Sequence, residues 1–168
     1  IYAGKAGDQF ADCLLVKLPG IPAKRKAIRR VCAQLSKRKL GAFHPDKDIG
    51  AAIASGSCRT AGMVVVPCSA TTLSKVAHGI CDNLLTRAAY VHLKERRSLV
   101  LVPREAPLPL PTLEAMVKAA QAGATILPAS PGFYTHPKSI DDLLGFVTQR
   151  ILDLLGIPIS ATRMKCAL

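Results

Sequence analysis

The sequence of 168 residues contains no tryptophan, and aromatic residues make up only 4% of it. Its six cysteines include no C-x-x-C pair and its four histidines are scattered, so the ligand spacing of a structural zinc site is missing. No apolar run approaches the roughly 20 residues that a membrane-spanning helix requires. The G-x-G-x-x-G and Walker motifs are absent too, which removes the usual dinucleotide and nucleoside-triphosphate fingerprints.

Apolar residues nevertheless account for 49% of the chain, enough to build a buried core. A domain of this size does not depend on disulfides for stability, and the sequence shows no secretory signal. We therefore expect a soluble, cytoplasmic protein whose thiols are reduced.

The positive charge is concentrated at the start of the chain. Residues 1–43 hold ten basic and two acidic residues, whereas residues 44–168 contribute only +4 of the net charge of +12. We divide the chain into a divergent basic N-terminal segment, 1–43, and an α/β domain, 44–168. The N-terminal segment shows little regular pattern apart from a basic amphipathic stretch over 27–35. Nucleic-acid binding through residues 24–39 is an alternative function, although the aromatic residues that would stack on bases are absent there.

From Asp48 onward the sequence alternates between short apolar strands and amphipathic helices. Strands are predicted at 62–67, 99–103 and 124–127, and helices at 72–80, at 112–121 with Thr112 as N-cap, and from Ile140 onward with Ser139 and Asp142 as a capping pair. Continuous β-branched runs indicate strands that are buried on both faces. The predicted fold is therefore a three-layer α/β domain with a parallel sheet.

Parallel sheets bind ligands beyond the carboxyl ends of their strands, and polar residues follow three of the predicted strands there. Ser69, Thr71 and Thr72 lead into a helix N-terminus, which suits an anion but is equally typical of helix capping. Arg104 and Glu105 follow the second strand and could instead form a solvated salt bridge. Tyr134 follows the third strand.

Arg150 lies on the last helix at the rim of its apolar stripe, where its guanidinium can turn inward to an anion or extend into solvent. Together with the strand-end residues it indicates an anion-binding site built from hydroxyls and cationic groups. The residues alone lead no further than this.

Several longer strings resemble one known family. They are Ala-Ser-Gly-Ser at 54–57, Gly-Met-Val-Val-Val-Pro-Cys-Ser at 62–69, Asp-Asn-Leu-Leu-Thr-Arg-Ala-Ala at 82–89, Leu-Lys-Glu-Arg-Arg at 93–97, Leu-Val-Leu-Val-Pro-Arg-Glu-Ala-Pro-Leu at 99–108 and Gly-Phe-Tyr at 132–134. In order and spacing, from residue 48 to 157, they resemble the flavin prenyltransferases of the UbiX/Pad type, formerly described as 3-octaprenyl-4-hydroxybenzoate carboxy-lyases.

The resemblance implies a flavodoxin-like, Rossmann-like fold and a homo-oligomer, a dodecamer in the family, with sites between subunits. It implies an enzyme that transfers the dimethylallyl group of dimethylallyl phosphate to N5 and C6 of reduced FMN, without a metal. The prenylated FMN would serve a UbiD-type decarboxylase in ubiquinone biosynthesis or aromatic-acid decarboxylation. Neither a nucleic acid nor a membrane span is implied.

The resemblance also assigns roles to individual residues. FMN would be bound by Ser69, Ala70, Thr71, Thr72 and Arg104. Tyr134 and Arg150 would bind the phosphate of the prenyl donor. Lys94, Arg87 and Glu105 match charged positions of the family's active site, where cations stabilise the charge that develops as the allylic C–O bond breaks. Glu105 would orient the phosphate or assist proton movement.

The sequence departs from the family in its first quarter. The family's first strand and its Gly-Ala-Ser-Gly-Ala turn, which binds the FMN phosphate, are missing or altered, since residues 3–40 do not follow the family pattern. Tyr90 also stands where the family usually has Asp. These departures are consistent with a truncated or frame-shifted start. The alternative function is therefore a catalytically impaired flavin-binding or assembly subunit of a decarboxylase system.

Overall fold

The computed structural model describes the backbone of residues 2–5, 13–16 and 41–157, and side chains over 44–157. It contains a six-stranded sheet in the order β3-β1-β2-β4-β5-β6. The strands are β1 (Tyr2–Lys5), β2 (Cys13–Val16), β3 (Gly41–Phe43), β4 (Gly62–Cys68), β5 (Leu99–Pro103) and β6 (Thr125–Ile126). The helices are α1 (Ala70–Ala77), α2 (Leu84–Lys94), α3 (Leu110–Gln121) and α4 (Ile140–Leu154).

The strands β2, β4, β5 and β6 pair in parallel, and each of the last three is followed by a helix that returns the chain across the sheet. This confirms the α/β fold class. β1 is antiparallel to both β2 and β3, so the sheet is mixed at its N-terminal side.

An apolar layer covers each face of the sheet. Because successive side chains of a strand point to opposite faces, alternate residues of the central strands contact different layers. Met63 and Val65 of β4, with the matching residues of β5, pack under α1, α2 and α3. Val64 and Val100 point to the opposite face, where Ile151 and Leu155 at the end of α4 cover them. The helices thus lie on both faces, as the β-branched runs predict.

The expectation that the first strand is missing is not borne out. The structure places strands at Tyr2–Lys5 and Cys13–Val16, and the second of these pairs in parallel with β4. The absence of a clear pattern before residue 44 was therefore misleading for these two segments. The basic amphipathic stretch over 27–35 and the residues between β1 and β2 lie outside the described residues. The sheet crosses the proposed boundary at residues 43 and 44, and the division into two segments remains a prediction.

Other element boundaries need small corrections. α1 begins at Ala70, two residues earlier than predicted, because Ser69 rather than a later residue caps it. α3 begins at Leu110 with Pro109 as N-cap, while Thr112 is buried inside its first turn. The third strand is shortened to Thr125–Ile126. The helix from Ile140 has the expected capping box, in which Ser139 and Asp142 each bind the other's backbone amide.

The apolar stripe of α4 is only partly buried. Ile151 is buried, but Ile140 and Leu144 are 75% and 60% exposed. Part of the apolar stripe in the first half of the helix is therefore left exposed.

Candidate functional site

The turn after β4 carries the residues expected to bind a flavin. The hydroxyl of Ser69 accepts a hydrogen bond from the backbone amide of Thr72 at 3.3 Å, and the two hydroxyls lie 3.0 Å apart. Thr72 is buried, whereas Ser69 and Thr71 are exposed. Helix capping is therefore present, and the N-terminus of α1 still opens onto the carboxyl edge of the sheet, where its amides suit an anion or a polar ring.

Arg104 and Glu105 lie beside this turn. Cys68 and Pro103 are paired across β4 and β5, so the residues that follow them, Ser69 and Arg104, are neighbours at the same edge. Both charged side chains are exposed. Within residues 44–157 neither forms an ion pair or hydrogen bond, so the salt bridge considered between them is not formed. A positive and a negative charge are thus both available at this edge.

Tyr134 lies at the same edge, in a 3-10 turn that follows β6. Its side chain is 77% exposed, and its ring meets Phe146 of α4 edge to face, with centroids 6.1 Å apart and planes at 88°. A Cβ on Gly132 would stand 2.5 Å from the Tyr134 ring and 3.1 Å from Phe146. Glycine at position 132 is therefore needed for this aromatic contact.

Arg150 is one helical turn after Phe146, so the two residues share a face of α4. Its guanidinium is about half exposed and lies 3.7 Å from the carboxylate of Asp153. Tyr134 thus contacts Phe146 of α4, and Arg150 lies one turn further along the same face of the helix. The contact of Tyr134 with Phe146 was not found from the sequence.

Lys94 lies at the opposite edge of the sheet. It ends α2, five residues before β5 begins, and its Nζ stands 3.3 Å from where a Cβ of Gly56 would be, in the loop before β4. It pairs with Glu95 at 3.0 Å. Arg87 precedes it by two turns on the same exposed face, about 10 Å along the axis. One chain therefore does not bring Lys94 together with Ser69, Arg104 and Tyr134.

A buried histidine is the main polar feature that sequence analysis missed. His92 has no exposed surface, and its Nδ1 and Nε2 lie 2.8 Å from the carbonyl of Ala88 and 2.9 Å from the hydroxyl of Thr60. Burial lowers the pKa of His92, as does the nearby charge of Arg97, while the carbonyl of Ala88 raises it. The one available signal was its position on the apolar face of α2.

Neither a metal site nor a membrane-spanning helix appears in the described part of the chain. No group of three or more histidine, cysteine, aspartate or glutamate side chains is arranged there to hold a metal ion. No helix among those residues is long and apolar enough to cross a bilayer.

Comparison with known proteins identifies the family of the chain. The model of the family described as Flavoprotein matches residues 36–152. The flavin prenyltransferase UbiX of Deinococcus radiodurans is 62% identical over 114 residues, which are 68% of this chain and 58% of that protein. The chain thus spans less than two thirds of the length of this curated relative.

Solved structures are similar over a larger share of both chains. A dodecameric FMN-dependent UbiX-like decarboxylase from Escherichia coli O157:H7 superposes with a TM-score of 0.77 and 38% identity, covering 90% of this chain and 83% of that one. AnUbiX (PadA1), in complex with FMN and dimethylallyl pyrophosphate, gives a TM-score of 0.66 and 34% identity over 90% of this chain and 96% of that one.

Proposed function

Since the chain belongs to the flavoprotein family and is similar within it to the flavin prenyltransferases, we propose that it transfers a dimethylallyl group to reduced FMN. The donor is dimethylallyl phosphate or its diphosphate. One observation carries the proposal: the turn at Ser69, Tyr134, and Arg104 with Glu105, which pair with no group within residues 44–157, all lie at the carboxyl edge of the sheet. When bound, reduced FMN supplies the nucleophilic N5 and C6 atoms that form the two new bonds.

The turn after β4 and Arg104 fit the flavin. The amides at the N-terminus of α1 and the exposed hydroxyls of Ser69 and Thr71 offer hydrogen bonds to a polar ring edge. With Ala70 and Thr72 they form the proposed FMN contact. The guanidinium of Arg104 holds a fixed positive charge beside it, which stabilises the negative charge of a reduced flavin.

Tyr134 and Arg150 fit the phosphate of the prenyl donor. Tyr134 offers a hydroxyl donor, and Arg150 offers up to two parallel N–H donors to phosphate oxygens. The ring of Phe146, which contacts Tyr134, would give the isoprenyl tail an apolar surface. Arg150 would have to exchange its contact with Asp153 for the phosphate, a small cost because that pair is half exposed.

Departure of the phosphate needs further positive charge, and we propose that Lys94 and Arg87 of a neighbouring copy supply it. Both residues lie exposed on one face of α2, and Lys94 stands at the edge opposite the carboxyl edge of its own chain. Cations placed where negative charge develops lower the barrier to breaking the allylic C–O bond. Glu105 then orients the phosphate or accepts a proton at the same edge.

A homo-oligomer follows from this division of the site between copies. Leu110, Leu113 and Val117 form an exposed apolar row on α3, which we propose as a contact surface for a second copy. We further propose that the prenylated flavin passes to a UbiD-type decarboxylase in the cytoplasm, which is where the composition predicts this protein to act.

The test is anaerobic turnover. The purified chain, FMN reduced with dithionite and either dimethylallyl phosphate or the diphosphate should release phosphate or diphosphate and yield a flavin heavier by one C5 unit in mass spectrometry. Glu105→Gln is the matched variant, because it keeps the size and exposure of the side chain and removes its charge. Flavin binding without product would favour the alternative of a non-catalytic flavin-binding or assembly subunit.

A further inference from the structure

The guanidinium of Arg97 binds the loop at residues 55–60, which precedes β4. Its Nη2 donates to the carbonyl of Gly56 at 2.5 Å and its Nη1 to the carbonyl of Cys58 at 2.6 Å. Two carbonyls separated by one residue are thus held by the two arms of one planar group. Only arginine has the fork geometry for this arrangement, because the ammonium of lysine is a single point charge.

The same guanidinium starts a directional chain of hydrogen bonds that ends inside α2. Because the Ala88 carbonyl only accepts, Nδ1 of His92 carries the proton and its Nε2 accepts from the hydroxyl of Thr60. The Thr60 oxygen is then left to accept from Nη1 of Arg97, at 3.4 Å. Every buried polar side-chain atom in the described part of the chain has a partner. The loop is therefore fixed to α2 from two sides.

The loop in turn meets the end of α2 where Lys94 stands. A Cβ on Gly56 would collide with the carboxylate of Glu95 and would lie 3.3 Å from Nζ of Lys94. The backbone that Arg97 holds thus lies directly against the Lys94–Glu95 ion pair. A shift of this loop would displace the amino group of Lys94.

We propose that Arg97 is a positioning residue for Lys94, and that it acts by clamping the loop at Gly56 and Cys58 against the end of α2. This inference rests on the proposed function, in which Lys94 reaches the prenyl donor bound to a neighbouring copy. A long lysine side chain has many rotamers, and a fixed wall beside it reduces the number that it occupies. The position of a charge at a reacting centre matters within about 1 Å.

Arg97→Gln tests the proposal, with Arg96→Gln as the matched control. Both variants remove one positive charge at adjacent positions, but Arg96 is exposed, and among the described residues the hydrogen bonds to the loop carbonyls come from Arg97. For Arg97→Gln we expect kcat/KM for dimethylallyl phosphate to fall about 10-fold or more. The Kd of FMN, measured by quenching of its fluorescence, should stay unchanged because Ser69 and Arg104 lie at the other edge. Arg96→Gln should change neither quantity.

Two further variants distinguish a positioning effect of Arg97 on the kinetics from an effect of its charge and from an effect on folding. Arg97→Lys keeps the positive charge but loses the two-armed guanidinium, so we expect the same fall in kcat/KM for dimethylallyl phosphate. Wild-type kinetics in this variant would overturn the proposal. Gly56→Ala keeps the Arg97 side chain and pushes directly on the Lys94–Glu95 pair, so it should reproduce the donor-specific defect even if Arg97 variants fold poorly. Unchanged donor kinetics in Gly56→Ala would contradict the proposal.

The wild-type chain is assayed first, which separates the two hypotheses. Absence of turnover there would overturn the proposed function and this inference with it. Wild-type turnover combined with equal kcat/KM values for Arg97→Gln and Arg96→Gln would overturn the positioning role alone.

Discussion

Polar residues at the two edges of the sheet differ in whether they are already paired. At the amino edge, where the parallel strands begin, Arg97, Thr60 and His92 are joined by hydrogen bonds that include the loop before β4. At the carboxyl edge, Arg104 and Glu105 are exposed and bind no other group within residues 44–157. Buried polar groups must be paired for the fold to be stable, whereas a ligand site needs groups that the fold has not already paired.

This difference shows which polar residues the fold requires and which are available for function. Removing a residue from the amino edge should reduce stability first, and removing one from the carboxyl edge should reduce ligand binding or turnover while the fold persists. Lys94 is an exposed cation at the amino edge, as are Arg59 and Arg96. We assign a function to Lys94 alone among them, and that function depends on a neighbouring copy.

The largest expected effect tests the carboxyl edge. Arg104→Ala should lower kcat/KM for flavin prenylation about 100-fold or more, since one charged contact to a developing or reduced anion is removed. The midpoint of denaturant unfolding should stay within the error of the measurement, because the side chain is exposed. Arg59→Ala, an exposed arginine in the loop before β4, is the control and should retain activity. Equal losses in both variants would contradict the contrast between the edges.

A second prediction tests the amino edge. Thr60→Val keeps the shape of the side chain but leaves Nε2 of the buried His92 without a donor. Leaving a buried group unpaired costs about 1–3 kcal/mol, so the free energy of unfolding should fall by that amount. Thr60→Ser retains the hydroxyl and should lose much less. Urea denaturation followed by circular dichroism measures both, and equal stability of the two variants would show that the hydrogen bond contributes little.

The sequence was sufficient for the parts of the fold that local pattern determines. Leu99–Pro103 reads as a fully buried strand and is one, and Ser139 and Asp142 form the capping box that their spacing predicts. β1 could not be found this way, because four residues become a strand only through pairing with β2 and β3 elsewhere in the chain. Short strands depend on their neighbours more than on their own composition.

In the candidate site too, some features could be predicted from the sequence and others depend on contacts between distant residues. Ser69 and Arg104 follow neighbouring parallel strands, so their closeness could be predicted from strand order alone. The contact of Tyr134 with Phe146, and that of Thr60 with a histidine 32 residues away, depend on how helices pack onto the sheet. No local sequence pattern predicts these contacts. Likewise, the position of Lys94 at the edge opposite Ser69 and Arg104 became clear only from the direction of α2 in the structure.

A third and smaller effect concerns the contact of Tyr134 with Phe146. Gly132→Ala should raise the KM for dimethylallyl phosphate about 10-fold, because the new Cβ displaces the Tyr134 ring from Phe146 and misplaces its hydroxyl. The backbone of Gly132 has a φ of −81°, which alanine adopts without strain. Gly145→Ala is the control, since nothing lies within 4 Å of its added Cβ. Steady-state kinetics with varied donor distinguishes them, and an unchanged KM in Gly132→Ala would argue against Tyr134 as a phosphate ligand.

The smallest expected effect is the pH dependence of the amino edge. Burial holds the pKa of His92 below its ordinary value of 6.5, so the unfolded chain binds a proton at a higher pH than the folded chain does. The unfolded state carries more protons between the two pKa values, so stability should decline as pH falls below about 6.5 and level off once the folded histidine is protonated. His92→Gln removes this titration, and its unfolding free energy should vary less with pH between 7 and 5 than that of the wild type. If the unfolding free energies of the two proteins changed with pH in the same way, protonation of His92 would not be the cause of the loss of stability.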